Sequence, residues 1–166
     1  MTRIGSTRLK RTYGSREVAA ITGLTARQLQ LWEAGGLMIP AIPSRRTTAG
    51  GYTERRYSPI DLLELLVLAE LRGFGFSIQQ LHTMVRVLKE QFGVRLFEAT
   101  GGGGSIDLLT DGEEIYARTR SGEFFSVLQS PAQPLLVGGD ERLLKELGQV
   151  LTPRRRKKMR RNKRVS

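Results

Sequence analysis

Arg27, Gln28 and Gln30 fall within four consecutive residues. A guanidinium can bridge two acceptors on a guanine edge, and a carboxamide can offer adenine a donor and an acceptor together. If these side chains share the outer face of a helix, they have the chemistry of a major-groove reader. An ordinary helical hairpin with a polar outer face would carry the same residues. The surrounding stretch, residues 13–32, YGSREVAAITGLTARQLQLW, supplies the elements that could hold them. Ser15 is placed to cap a first helix, with Val18, Ala19 and Ile21 following at helical spacing. Thr22-Gly23-Leu24 breaks that helix, because Gly takes tight-turn angles at no steric cost and Leu24 can plug the gap between helices. Thr25 then opens a T-x-x-Q capping box with Gln28. Leu29 and Trp32 face inward, leaving Arg27, Gln28 and Gln30 outward.

A second group of candidates lies on residues 39–57, IPAIPSRRTTAGGYTERRY. The prolines and Ala49-Gly50-Gly51 suggest a two-stranded ribbon with a mobile tip. Arg45, Arg46, Arg55 and Arg56 sit on it with Tyr52 and Tyr57 interleaved, a set suited to phosphate and sugar contacts. A solvated loop is the alternative. The hydroxyls of Ser15 and Thr25 join the candidate contacts.

Behind these segments the sequence predicts a core. Ser58-Pro59-Ile60-Asp61 is a helix start with an N-cap Ser, Pro at the first position and an acid at the third. Leu62, Leu63, Leu65, Leu66, Val67, Leu68 and Leu71 then cover most of that helix, and Gly73 and Gly75 stop it. Ser77-Ile78-Gln79-Gln80 opens another helix to about Gln91, with Ile78, Leu81, Val85 and Leu88 inward. His82 lies on it and reads as a boundary residue, since a lone His without Cys makes no tight metal site.

Composition narrows the classes. The net charge of +11 is uneven: nine of the 27 basic residues lie in residues 154–166, which hold no acid. The first 153 residues therefore carry 18 bases against 16 acids, a net of +2. A basic tail points to a polyanion partner, with a solvated end as the alternative. The chain has no cysteine, so thiol chemistry and thiolate metal sites are excluded. The N-terminus lacks the apolar core of a signal peptide, and the most apolar stretch is too short and too charged to span a bilayer. The expectation is a cytoplasmic, nucleoid-associated protein with no membrane partner.

Taken in order, these segments resemble the DNA-binding domain of the MerR family of transcriptional regulators. The matching pieces are Thr25-Ala26-Arg27-Gln28-Leu29 with Trp32-Glu33, then Gly36-Leu37, Gly51-Tyr52, Arg55-Arg56-Tyr57-Ser58-Pro59 and Gly75-Phe76-Ser77. The resemblance implies a winged helix-turn-helix. It also implies a homodimer on palindromic double-stranded DNA, with RNA polymerase as a further candidate partner. Base contacts would come from the helix bearing Arg27 and backbone contacts from the wing arginines. The chain departs from the family in three places. Gln30-Leu31 stands where Arg-Tyr is frequent, Thr53-Glu54 lengthens the wing, and Gly93 interrupts the helix that would dimerise.

Residues 98–105, EATGGGGS, read as a flexible linker. Beyond it come three strand candidates, residues 105–109, 114–118 and 123–128. Thr110-Asp111-Gly112 and Arg120-Ser121-Gly122 are the turns between them. Asp140 starts a short helix through Leu147. Asp107, Asp111, Glu113 and Glu114 read as solvated acids near a hairpin turn. The strands' free edges make this half a candidate self-association module, and packing or effector binding are the alternatives. The expected division is a basic arm at 1–12, the winged domain at 13–92, a linker at 93–104, a small β-rich module at 105–148, and a disordered basic tail at 149–166. The fold class is mainly α with a small β wing. No nucleophile–base pair, phosphate loop or metal spacing is visible, so neither catalysis nor a cofactor is expected. The functional reading is a sequence-specific DNA-binding transcriptional regulator. The rival is a protein-interaction or antitoxin-like adaptor that works through the β-rich half.

Overall fold

Thr25, Ser58 and Ser77 open three helices by the same reciprocal device. Each side-chain oxygen accepts from the amide three residues on (3.1 Å), and that residue's side chain accepts from the cap amide (2.9 Å). Two otherwise orphaned donors are thereby satisfied at each helix start. The computed structural model describes residues 10–42, 45–46, 53–101 and 103–135. The first nine residues of the arm, Tyr52, the helix expected at Asp140 and the basic tail lie outside them.

The chain begins with a short strand β1 (Tyr13–Gly14), then helices α1 (Ser15–Thr22) and α2 (Ala26–Ala34). The wing follows as β2 (Arg45–Arg46), β3 (Thr53–Glu54) and β4 (Arg56–Tyr57). Helices α3 (Pro59–Gly73) and α4 (Ile78–Phe92) come next, then a 3-10 turn at Leu96–Ala99. Strands β5 (Ile106–Thr110), β6 (Ile115–Thr119), β7 (Phe124–Ser126) and β8 (Ser130–Leu135) form one antiparallel meander in chain order. The described residues are thus a winged helix-turn-helix followed by a small β module.

One expectation about the first helix needs correction. Gly14, not Ser15, is the N-cap of α1, and no side chain caps it. The cause is β1: Tyr13 pairs with Tyr57 and Gly14 with Arg56, so the chain leaves a strand directly into the helix. The turn between α1 and α2 forms as expected. Gly23 takes a φ of 75°, and buried Thr22 donates to the Val18 carbonyl (2.7 Å) while accepting from the Leu24 amide (3.2 Å).

Helix α3 runs through the centre, with Leu65, Val67, Leu68 and Leu71 at 1% exposure or less. Burying each such side chain contributes about 1.5–3 kcal/mol before entropy is counted. Leu63, expected to be covered, is exposed on this helix, as is Ile60. On α4 the buried face is Leu81, Met84, Val87 and Leu88, with Ile78 and Val85 only partly covered.

The Gly-rich stretch behaves differently from its composition. Ala99 and Thr100 are buried, and a Cβ on Gly104 would stand 1.9 Å from the Glu98 carbonyl oxygen. At Gly104 the missing side chain permits close backbone approach, whereas Gly101 and Gly103 face open space. A single buried cluster runs from Tyr13 through α3 and α4 to Ile106, Leu108, Ile115, Ala117 and Val127. The rings of Phe92 on α4 and Phe125 on β7 meet edge to face, 5.3 Å between centroids at 73°. The β module therefore shares its core with the helices, without a free linker between them. Its fourth strand, β8, was missed because Pro131 and Pro134 speak against a strand. The acids are also less solvated than expected. Asp107 is buried and accepts from Arg118 (3.0 Å), while Glu114 is buried and accepts from the Ile115 amide (3.0 Å).

Candidate nucleic-acid interface

Helix α2 presents one continuous outer stripe. Arg27, Gln30, Leu31 and Ala34 are exposed at spacing i, i+3, i+4 and i+7, while Leu29 and Trp32 are buried on the opposite side. Arg27 makes no ion pair among the described residues, so its guanidinium is available to a partner. Leu31, at 55% exposure, stands in the middle of this stripe and was not picked out from sequence. An exposed Leu among polar readers can meet a thymine methyl group. Its apolar character hid it, because leucine on a helix reads as core.

Gln28 is placed differently from Arg27 and Gln30. Its carboxamide oxygen accepts from the Thr25 amide and its own amide donates to the Thr25 hydroxyl. A bidentate contact with adenine needs that same oxygen. Gln28 and Thr25 are therefore fixed as the box that starts α2, with only the Gln28 NH2 left to donate outward.

The wing candidates divide in the same way. Arg45 pairs in register with Glu54, and Arg46 with Thr53, across the β2–β3 ribbon. Arg56 is partly exposed and forms an ion pair with Glu54 at 2.6 Å. Arg55 turns inward and donates through Nε to a Glu33 carboxylate oxygen on α2. Tyr57 is corrected outright: at 1% exposure it belongs to the core and reaches no surface. Burial, followed by the nearby negative charge of Glu33, pushes its hydroxyl above the ordinary tyrosine value, so it stays neutral. Ser15 sits at the first turn of α1, partly exposed.

The framework beneath the wing is polar and buried. Asp61, fully buried, uses Oδ2 to accept from both Ser58 and Ala41 amides, at 2.9 and 3.0 Å. One carboxylate oxygen thus ties the segment leaving α2 to the start of α3. Among the described residues, Arg11 and Arg16 are exposed and make no ion pair, which extends the basic surface on the α1 side of the wing. Neither stood out in the sequence, because each lies outside any motif. Among the described residues no three His, Asp or Glu side chains stand together as a metal site would require, and no helix is long and apolar enough to cross a membrane.

The sequence of this region is similar to that of known proteins. Residues 13–88 match the family described as MerR HTH family regulatory protein. An uncharacterized HTH-type transcriptional regulator of Mycobacterium tuberculosis (strain ATCC 25618 / H37Rv) is 31% identical over 117 residues, covering 70% of this chain and 48% of that protein. The HTH-type transcriptional regulator CueR of Vibrio cholerae serotype O1 is 32% identical over 74 residues, 45% of this chain and 49% of its own. The CueR of Escherichia coli O157:H7 is likewise 32% identical over 74 residues, covering 45% and 50%. The chain spans about half the length of these relatives. Wherever a 117-residue span lies in a chain of 166, it includes residues 50–117. The mycobacterial likeness therefore carries through α3 and α4 into β5. Residues 13–88, with the α2 stripe and its wing, are a helix-turn-helix domain of the MerR family.

Proposed function

We propose that this chain is a sequence-specific transcriptional regulator that binds double-stranded DNA through α2 and the wing. The observation that carries the reading is the α2 stripe, which offers an uncommitted guanidinium at Arg27 beside Gln30 and Leu31. Arg27, Gln30 and Leu31 read base edges; Gln28 and Thr25 hold the helix start that aims them. Arg45, Arg46, Arg56 and Tyr52 act on the backbone from the wing, and Arg55 fixes the wing's angle to α2. Ser15 adds a hydroxyl at the start of α1. The relatives named as transcriptional regulators support the same reading.

Two copies act on a two-half-site operator, in the cytoplasm at the nucleoid, and RNA polymerase is the further partner through which binding changes transcription. The basic residues of 154–166 add sequence-independent phosphate attraction. Genome-wide mapping of bound DNA, followed by titration of recovered and scrambled duplexes, tests the reading. A recovered motif should bind at least a hundredfold tighter than its scrambled form. Equal affinity for both would remove sequence-specific readout.

A further inference from the structure

A cavity of about 450 Å³ opens between the segment that leaves α2, the outer sides of α3 and α4, and the turn after α4. Leu37, Met38, Leu68 and Leu96 form its apolar walls, with Val85 and Val94 closing the sides. The volume is within the range of roughly 300–1,000 Å³ typical of small-molecule sites. Three charged side chains border it: Glu64, Lys89 and Arg95. Two of them satisfy each other. Glu64, with a side chain only 10% exposed, is ion-paired to Arg95, whose guanidinium also lies 5.3 Å from the centre of the Phe97 ring. Lys89 makes no ion pair among the described residues.

We propose that this cavity binds a small amphipathic anion, its apolar body against Leu37, Met38 and Leu68 and its acidic group at Lys89. The charge decides the class. A cation would meet Lys89 and Arg95 with Glu64 already neutralised, and a neutral molecule would gain nothing from the exposed Lys89 ammonium at the rim. A carboxylate or sulfonate instead gains a charge-assisted hydrogen bond. A naphthalene-sized aromatic acid or a medium-chain fatty acid fits the volume. Residues 36–39 are the exit of α2, so an occupant presses on the element that carries Arg27. This coupling rests on the DNA-binding reading; the site itself does not.

Anilinonaphthalene sulfonate, titrated into the full chain without DNA and followed by its fluorescence, tests the site. One saturable site is expected, about tenfold weaker in Lys89→Glu and lost in Val85→Phe, with Trp32 emission showing that both variants fold. Naphthylmethylammonium should compete at least tenfold more weakly than naphthoate. Equal or tighter cation competition, or dye binding unmoved by both substitutions, overturns the proposal. So does the absence of dye binding by a dimer that Lys89→Glu or Val85→Phe converts to monomer in sedimentation, which would give the cavity to a second copy. In a separate gel-shift assay on the mapped operator, saturating dye should change DNA affinity severalfold. An unchanged affinity would overturn the coupling and leave the anion site standing.

Discussion

Arg55, at the base of the wing, is bonded through Nε to the carboxylate of Glu33 on α2, across 22 residues of sequence. Both side chains are about one-quarter exposed, so water screens the pair only in part. The bond ties the base of the wing to α2, the two elements proposed to face DNA. A double-mutant cycle on Arg55→Ala and Glu33→Gln should give a coupling of about 1 kcal/mol in chemical denaturation. Both single variants should weaken operator binding to a similar degree. If Arg55→Ala alone weakened binding while Glu33→Gln left it intact, Arg55 would be a direct phosphate contact and not a strut.

Arg27→Ala should cost about 1–3 kcal/mol on the operator and far less on scrambled DNA. Stability should not move, because Arg27 is exposed and touches no partner among the described residues. Equal losses on the two duplexes would reduce Arg27 to a phosphate contact.

Thr25 and Gln28 allow the cap to be separated from readout. Thr25→Ala should destabilise the fold by about 1 kcal/mol through loss of the cap bond. Gln28→Glu keeps an acceptor for the Thr25 amide but adds a negative charge near the phosphates, so stability should stay near the parent value while operator and scrambled duplexes lose affinity by similar factors. A loss much larger on the operator than on scrambled DNA, with unchanged melting, would return Gln28 to the base readers.

The helical half and the β module should unfold together. Phe125→Ala removes the ring that meets Phe92 and should cost about 2–4 kcal/mol. Trp32 fluorescence, which reports on α2, and far-ultraviolet dichroism should shift their transitions equally. A Trp32 transition unmoved by Phe125→Ala would mean that the halves fold independently.

Glu64 gives a pH dependence. Burial pushes its carboxyl above the ordinary value, although the Arg95 hydrogen bond and charge pull the other way. The native state then holds this proton to higher pH than the unfolded chain does. Its contribution to stability is complete below the unfolded value of about 4.3 and is lost as pH rises through the raised native value. Glu64→Gln should therefore gain stability relative to the parent between pH 4 and neutrality, measured by urea unfolding at several pH values. A gap that narrows with rising pH would contradict this.

The helical half was legible because its signals are local. Thr25–Gln28, Ser58–Asp61 and Ser77–Gln80 are capping boxes closed within four residues, and they form as the spacing predicts. Gly23 and Leu24 set the turn by their own sterics. What escaped depended on partners distant in sequence. Gly14 caps α1 only because β1 pairs with β4, and Tyr57 is core only because α3 and β1 cover it. Arg55 looked like its neighbour Arg56 until Glu33 distinguished them. The exposure of Leu31 and the burial of Met84 went unread, and Val85 was given the inward place that Met84 and Val87 hold. The Gly-rich stretch misled at its end, since composition cannot distinguish a slack glycine from one such as Gly104, which is packed too tightly for a Cβ.

Strand β8 lies at one edge of the meander, and two of its six residues, Pro131 and Pro134, have no amide hydrogen. An incoming strand would find donors missing from the row it must zip against. At the opposite edge all five residues of β5 are buried. The sheet is therefore a poor template for its own growth, and newly made copies crowded together on one messenger gain little from joining strand to strand. Self-association by sheet extension, the use that bare strand edges suggested, is disfavoured by the chemistry of those edges. Two copies brought together on one operator, as proposed above, would then need to meet through side chains, by contacts that can be undone.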